Sequence, residues 1–249
     1  MATKKTTRPA RAADEKSDAT SFEGFADSDG KFFKKLAKNQ DRDWFNAHKA
    51  AYDEGWAKPM AALLTEVRGR IDATYDDVEL AEPKVFRLHR DVRFSNDKTP
   101  YKTHVSGLIA ARLGRAAMEA PAAFYLQIGA GEEDRFAAAG FYVMPKEALA
   151  AYRAALLDDA HGAEIAKIVK ALEKKGFKVS AGEETKRVPA GVDPAHPRAD
   201  LLRKKGLIAA YPAVDPALLV SPDLVDWLAQ KSREAAPLVS WLVHMTSRG

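Results

Sequence analysis

Basic and imidazole side chains are concentrated in one short part of this sequence, residues 84–104. The segment holds six lysines and arginines against two aspartates, so its formal charge is 6 − 2 = +4, equal to that of the whole chain. It also holds two of the six histidines. Arginine pairs two oxygens of a carboxylate or phosphate at once, lysine adds a point charge, and histidine exchanges protons near neutral pH. This combination suits an anionic ligand.

The segment supplies most of the candidate site residues. The predicted ligand-binding side chains in it are Arg87, Arg90, Arg93, Lys98, Tyr101 and Lys102. The predicted acid–base groups are His89 and His104, with Asp91 or Asp97 to orient them. Alternation over 85–90 predicts a strand with Arg87 and His89 on one face, followed by a turn near Asp97 that Pro100 restricts.

A second basic set lies in and after a long loop that the sequence predicts over 180–199. Its candidate ligand-binding residues are Lys186, Arg187 and Arg203. Long ordered loops in compact domains are often functional, and a loop folded over the sheet would bring both basic sets to one cavity. The alternative is that these side chains only face water.

Three functions are consistent with these residues. The first is the binding of a small ligand that carries a phosphate or carboxylate group. The second is an enzyme acting on a phosphorylated or acidic substrate, with histidine as acid–base and arginine stabilising negative charge. The third is a structural network of arginine and aspartate that only stabilises the fold. No metal site and no cofactor are predicted, because the arginines would oppose a bound cation.

The elements that must position these residues follow from periodicity. Apolar residues recur at helical spacing over 31–71, where Pro59 predicts a kink or a restart, and again over 146–176. Period-two alternation predicts strands near 85–90, 105–113 and 123–128, and an almost wholly apolar run predicts a buried central strand over 136–143. Later strands are predicted near 177–179 and 207–211. Two C-terminal helices are predicted, which begin at Pro222 and Pro237. This order predicts an α+β fold with a central, mainly antiparallel sheet flanked by N-terminal and C-terminal helices.

Three blocks of the sequence resemble a known family. The first is Phe22-Glu-Gly-Phe25 with Asn39 and Arg42-Asp43-Trp44-Phe45, and the second runs from Phe86 to Lys102. The third contains Lys186-Arg187-x-Pro189, His196-Pro197 and Leu201-Leu202-Arg203. Together they resemble the bacterial and fungal family known as domain of unknown function 2461, over about residues 22–245. The resemblance implies that these blocks belong together, and it implies no particular activity, substrate or cofactor.

The bulk composition narrows the classes of protein. The 249 residues contain no cysteine, which excludes disulfides, iron–sulfur clusters and thiolate-bound zinc. No apolar run approaches the ~20 residues of a membrane span, so no membrane partner is predicted and the protein is expected to be soluble and cytoplasmic. Residues 1–20 are predicted to be a disordered basic tail and residues 21–249 a single domain. A net charge of +4 is too small to favour nucleic acid as the partner, and the oligomeric state stays open.

Overall fold

The computed structural model describes residues 21–93, 97–113 and 121–247. The predicted disordered tail, residues 1–20, lies outside these ranges. The helices are α1 (Lys31–Lys38), α2 (Arg42–Tyr52), α3 (Lys58–Ile71), α4 (Lys146–Leu157), α5 (Asp159–Lys174), α6 (Ala199–Arg203) and α7 (Asp223–Thr246). The strands are β1 (Glu79–Leu80), β2 (Lys84–Val85), β3 (His104–Arg112), β4 (Ala122–Gly129), β5 (Phe136–Phe141), β6 (Lys178–Ser180) and β7 (Leu207–Ala210).

The seven strands form one antiparallel sheet. Its order is β1-β3-β4-β5-β7-β6, and β2 pairs with β3 beside β1. Helices precede and follow the main strands along the chain. The predicted α+β fold, with a mainly antiparallel sheet between N-terminal and C-terminal helices, is confirmed.

The two faces of the sheet differ. The face packed by α3 and α7 carries large apolar side chains that are almost fully buried, such as Ile109, Phe124 and Leu126. The other face, here called the open face, carries His104, Ser106 and Leu108 on β3 together with Tyr125 and Gln127 on β4. Because side chains alternate along a strand, the residues between the buried ones determine the chemistry of the open face.

A π-helical turn, Asp53–Ala57, joins α2 to α3 where the sequence predicts a kink or a restart at Pro59. Proline has no N–H, so Pro59 cannot donate the α-helical hydrogen bond to the carbonyl of Gly55, four residues earlier. The backbone N–H of Ala26 donates to that carbonyl at 3.1 Å instead. The N-terminal hook, Phe22–Ala26, is thereby attached to the π-helical turn between α2 and α3. Phe25 also stacks on Trp56 of this turn at a centroid distance of 5.6 Å.

The C-terminus differs from prediction. The sequence predicts two helices, whereas α7 continues from Asp223 to Thr246 with Pro237 inside it. Ala235, Ala236, Leu238 and Val239 are all buried on either side of the proline. Their packing against the core outweighs the lost hydrogen bond, so the helix does not end there.

Candidate functional site

Residues 84–93 and 97–106 form the two arms of an irregular hairpin at one edge of the sheet. Regular pairing on the first arm is limited to β2. Beyond it, backbone bonds join Phe86 N to Ser106 O at 2.8 Å, Arg90 N to Pro100 O at 2.8 Å and Lys102 N to Leu88 O at 2.9 Å. A single bridge joins His89 to Tyr101. The strand predicted over 85–90 is therefore an extended hairpin arm in which only Lys84 and Val85 are regular strand.

The hairpin is held against α2 by an aromatic contact. Tyr101 is buried, with its ring 4.6 Å from that of Phe45, and its backbone N–H donates to Gln40 Oε1 at 3.0 Å. The ring of His89 lies 5.0 Å from that of Tyr101 and 5.9 Å from that of Phe45. Tyr101 and His89 thus lie at the contact between the hairpin and the N-terminal helices.

Arg87 and Arg93 share one carboxylate at the exposed end of the hairpin. Arg93 donates to Asp91 through two nitrogens, at 3.0 and 2.7 Å, and Arg87 lies 3.9 Å from the same group. Hydrogen bonds from Arg93, with a smaller contribution from the charge of Arg87, lower the pKa of Asp91. The carboxylate is therefore ionised and occupied, which does not suit a proton donor.

Arg90 and Asp97 form the second ion pair of the hairpin, at 3.1 Å. The backbone N–H and the hydroxyl of Thr99 donate to Asp97 at 2.9 and 2.8 Å, and these bonds, with the charge of Arg90, lower the pKa of the carboxyl group. Lys98 donates to the carbonyl of Val92 at 2.8 Å. The contacts of Arg90 with Asp97 and of Lys98 with Val92 join the two arms of the hairpin.

Lys102 lies in a different environment, although it belongs to the same hairpin. Its Nζ is 5.5 Å from the centroid of the Phe86 ring, and the Nζ of Lys84 is 5.3 Å from that same centroid. Burial, followed by the charges of Arg87 and Arg90, lowers the pKa of Lys102. Among the described residues, no carboxylate forms an ion pair with it. We call Lys84 and Lys102, with Phe86 between them, the cationic edge.

His104 begins β3 on the open face. Burial is the largest cause that lowers the pKa of its imidazole, and the charges of Lys102 and Arg90 act in the same direction, while Asp134 opposes them. The ring is therefore mainly neutral at pH 7. Of the two predicted acid–base histidines, His104 lies on the open face, and His89 lies against α2.

A hollow of about 890 Å³ occupies the open face beside this edge. Lys84, Tyr125 and Gln127 line one part of it, and small or apolar residues line the rest. Tyr125 donates to Gln127 Oε1 at 3.0 Å, and burial raises the pKa of its phenol. The hollow is the size of a site for a metabolite or cofactor, which typically measures 300–1,000 Å³.

The second basic set lies elsewhere. Arg203 pairs with Asp200, Lys204 with Glu184 at 2.5 Å, and Lys205 with Glu183 at 2.9 Å. Lys186 and Arg187 are exposed on the loop. Among the described residues that line the hollow, none comes from 183–205, and Arg203 lines a separate groove beside α5. The described part of the chain does not bring the two basic sets to one cavity.

Several lining residues were absent from the predicted site. Lys84 belongs to the basic segment but is not one of the predicted site residues. Alternation along β4 places Tyr125 and Gln127 on one face, and this pattern is the sequence signal that identifies them. Nothing in the sequence distinguishes Tyr142, which lines the hollow with 66% of its surface exposed. Over residues 21–93, 97–113 and 121–247, no three His, Asp or Glu side chains are placed to hold a metal ion.

The fold and this site define a class, an α+β protein whose antiparallel sheet is packed by helices on one face and forms a hollow with a cationic edge on the other. The chain belongs to the family described as "Conserved hypothetical protein (DUF2461)", which it matches over residues 30–241. Comparison with curated proteins and with solved structures found no match. No helix in the described ranges combines the length and apolar character needed to cross a membrane.

Proposed function

We propose that this protein binds a small molecule that carries a phosphate or carboxylate group. The anionic group lies at the cationic edge, between Lys84 and Lys102, and the rest of the molecule occupies the hollow. The observation that carries the proposal is the environment of Lys102, a partly buried ammonium 5.5 Å from the centroid of the Phe86 ring and without a carboxylate partner among the described residues. The charges of Arg87 and Arg90 help to lower its pKa. An anion bound there would compensate positive charge that the fold has brought together.

The arginines have a different part in this proposal. Arg87, Arg90 and Arg93 already contact Asp91 or Asp97, so they shape the hairpin and contribute their charge at longer range. The three arginines share the two carboxylates of this segment, and among the described residues no carboxylate of the segment pairs with Lys84, Lys98 or Lys102. This division supports the lysines as the direct ligands of the anion and the arginines as the supporting network.

Replacement of one lysine tests the proposal. Inorganic phosphate is titrated into wild-type protein and into Lys102→Met by isothermal calorimetry, with thermal unfolding as a second readout, because a ligand of the folded state raises its stability. Loss of a charge-assisted contact weakens affinity about tenfold or more. Lys167→Met, which removes an exposed lysine from α5, is the matched control and should bind like wild type. Equal affinity of Lys102→Met and wild type would refute the proposal.

A further inference from the structure

The hollow changes in chemistry from one side to the other. Lys84 lies opposite Leu108, which lies opposite Tyr125, which lies opposite Ala138. These four residues therefore form one row across β2, β3, β4 and β5, which begins with a cation and ends at an alanine. Neighbouring strands are about 4.8 Å apart, so three spacings separate the ends of the row by roughly 14 Å. A molecule that fills it must be elongated, with an anionic end and an apolar end.

The apolar end of the hollow has a flat surface, here called the floor, which Ala110, Ala122 and Gly140 form. In the neighbouring row, Ala110 lies opposite Ala122, and Ala122 lies opposite Gly140. Gly140 has φ of 118°, and a Cβ there would lie 2.2 Å from the carbonyl oxygen of Leu207, so only glycine fits. Three adjacent strands thus present side chains no larger than a methyl group. A planar ring can lie flat on such a surface.

An aromatic side chain borders this floor. Tyr142 follows β5 and is 66% exposed, which is unusual for a residue of its size in this protein. Its position is fixed from the far side, where Gly182 N donates to Tyr142 O at 2.9 Å. Any side chain at 182 would come within 2.7 Å of the Tyr142 ring. The ring is therefore packed against the backbone at Gly182 and leaves much of its surface available for stacking.

Polar groups occupy the middle of the hollow. Tyr125 and Gln127 line it between the cationic edge and the floor, and Gln127 Nε2 lies 3.5 Å from Asp134 Oδ1. Hydroxyl and amide groups in this position can hydrogen-bond the hydroxyls of a ligand. The environment across the hollow therefore changes from the cationic edge, through the polar groups of Tyr125 and Gln127, to the apolar floor.

From this order we infer that the ligand is a nucleoside monophosphate, with its phosphate at Lys84 and Lys102, its sugar near Tyr125 and Gln127, and its base beside Tyr142. Stacking on an aromatic ring accepts any base, so the site selects nucleotides as a class. The inference rests on the proposed function, because it uses the same cationic edge for the phosphate.

Calorimetry with defined probes tests the inference. AMP, GMP, CMP and UMP are each compared with inorganic phosphate, adenosine and hexyl phosphate. At least one nucleotide should bind about tenfold tighter than all three of these probes. Tyr142→Ala should weaken that nucleotide about fivefold or more and leave inorganic phosphate unchanged, since stacking is lost and the cationic edge is intact. Tyr142→Phe should bind like wild type.

A second variant and the remaining outcomes complete the test. Ala122→Leu places a bulky side chain on the floor and should weaken nucleotide binding without affecting inorganic phosphate. If phosphate binds and depends on Lys102, but no nucleotide binds tighter than hexyl phosphate or Tyr142→Ala has no effect, this inference is overturned and the proposed function stands. If neither phosphate nor any nucleotide binds, both are overturned.

Discussion

Lys98 and Lys102 are four residues apart in one hairpin, and their environments are opposite. Lys98 is exposed and donates to the carbonyl of Val92, whereas Lys102 is half-buried between Phe86 and the charges of Arg87 and Arg90. Residue type and spacing predicted both lysines as ligand-binding. Only the path of the backbone separates Lys98, which bonds across the hairpin, from Lys102, whose ammonium lies beside the Phe86 ring.

The lowered pKa of Lys102 predicts how binding responds to pH. An anion favours the charged ammonium, so affinity is full below the pKa of Lys102 and falls as the pH rises through it. Because that pKa lies below the ordinary value of about 10.4, the loss begins at lower pH than it would for an exposed lysine. Phosphate titrations between neutral pH and pH 10 measure the effect. The same profile in Lys102→Met would assign the pH dependence to another group.

The elements around the site are fixed by contacts between segments distant in the chain. The hairpin contacts α2 through Tyr101 and Phe45, and Gln40 accepts from the backbone of Tyr101. The first two sequence blocks that resemble the family therefore meet in space. At the other end of α2, Ala26 supplies the hydrogen bond that Pro59 cannot make. Helix α2 is thus fixed at both ends, and α3, which continues from it, packs against the sheet.

The π-helical turn predicts an unusual sign for a glycine replacement. Gly→Ala inside a helix normally stabilises by about 1 kcal/mol. At Gly55, however, a Cβ would lie 2.7 Å from that of Ala26, and overpacking costs about 1–3 kcal/mol. Gly55→Ala should therefore lower the free energy of unfolding or leave it unchanged, as measured by urea denaturation. Gly69→Ala in α3, where nothing lies within 4 Å of the new methyl group, should raise it. A stabilising Gly55→Ala would contradict the account of this turn.

For the whole molecule, local patterns predict the longer strands because burial on one side leaves a period-two signal. Strand β4 is such a case. Phe124 and Leu126 face the core, and Tyr125 and Gln127 alternate with them on the open face. The two-residue strand β1, Glu79–Leu80, is too short to leave a period-two signal and lies where the sequence predicts a loop. The pairing of Arg93 with Asp91 was not predictable, because either residue could have reached another partner. The placement of Tyr142 was not predictable either, because the residue that bonds its backbone, Gly182, lies forty residues later in the chain.

The central claim is that the anion-binding site of the molecule lies at the cationic edge of the open face. NMR tests this position when backbone amide shifts are recorded during a titration with inorganic phosphate. One such titration reports on the cationic edge and on the second basic set together. Saturable shifts are expected at residues 84–86 and 102–106, and Lys102→Met should abolish them. Shifts concentrated at residues 186–205, or no saturable shifts at all, would contradict it.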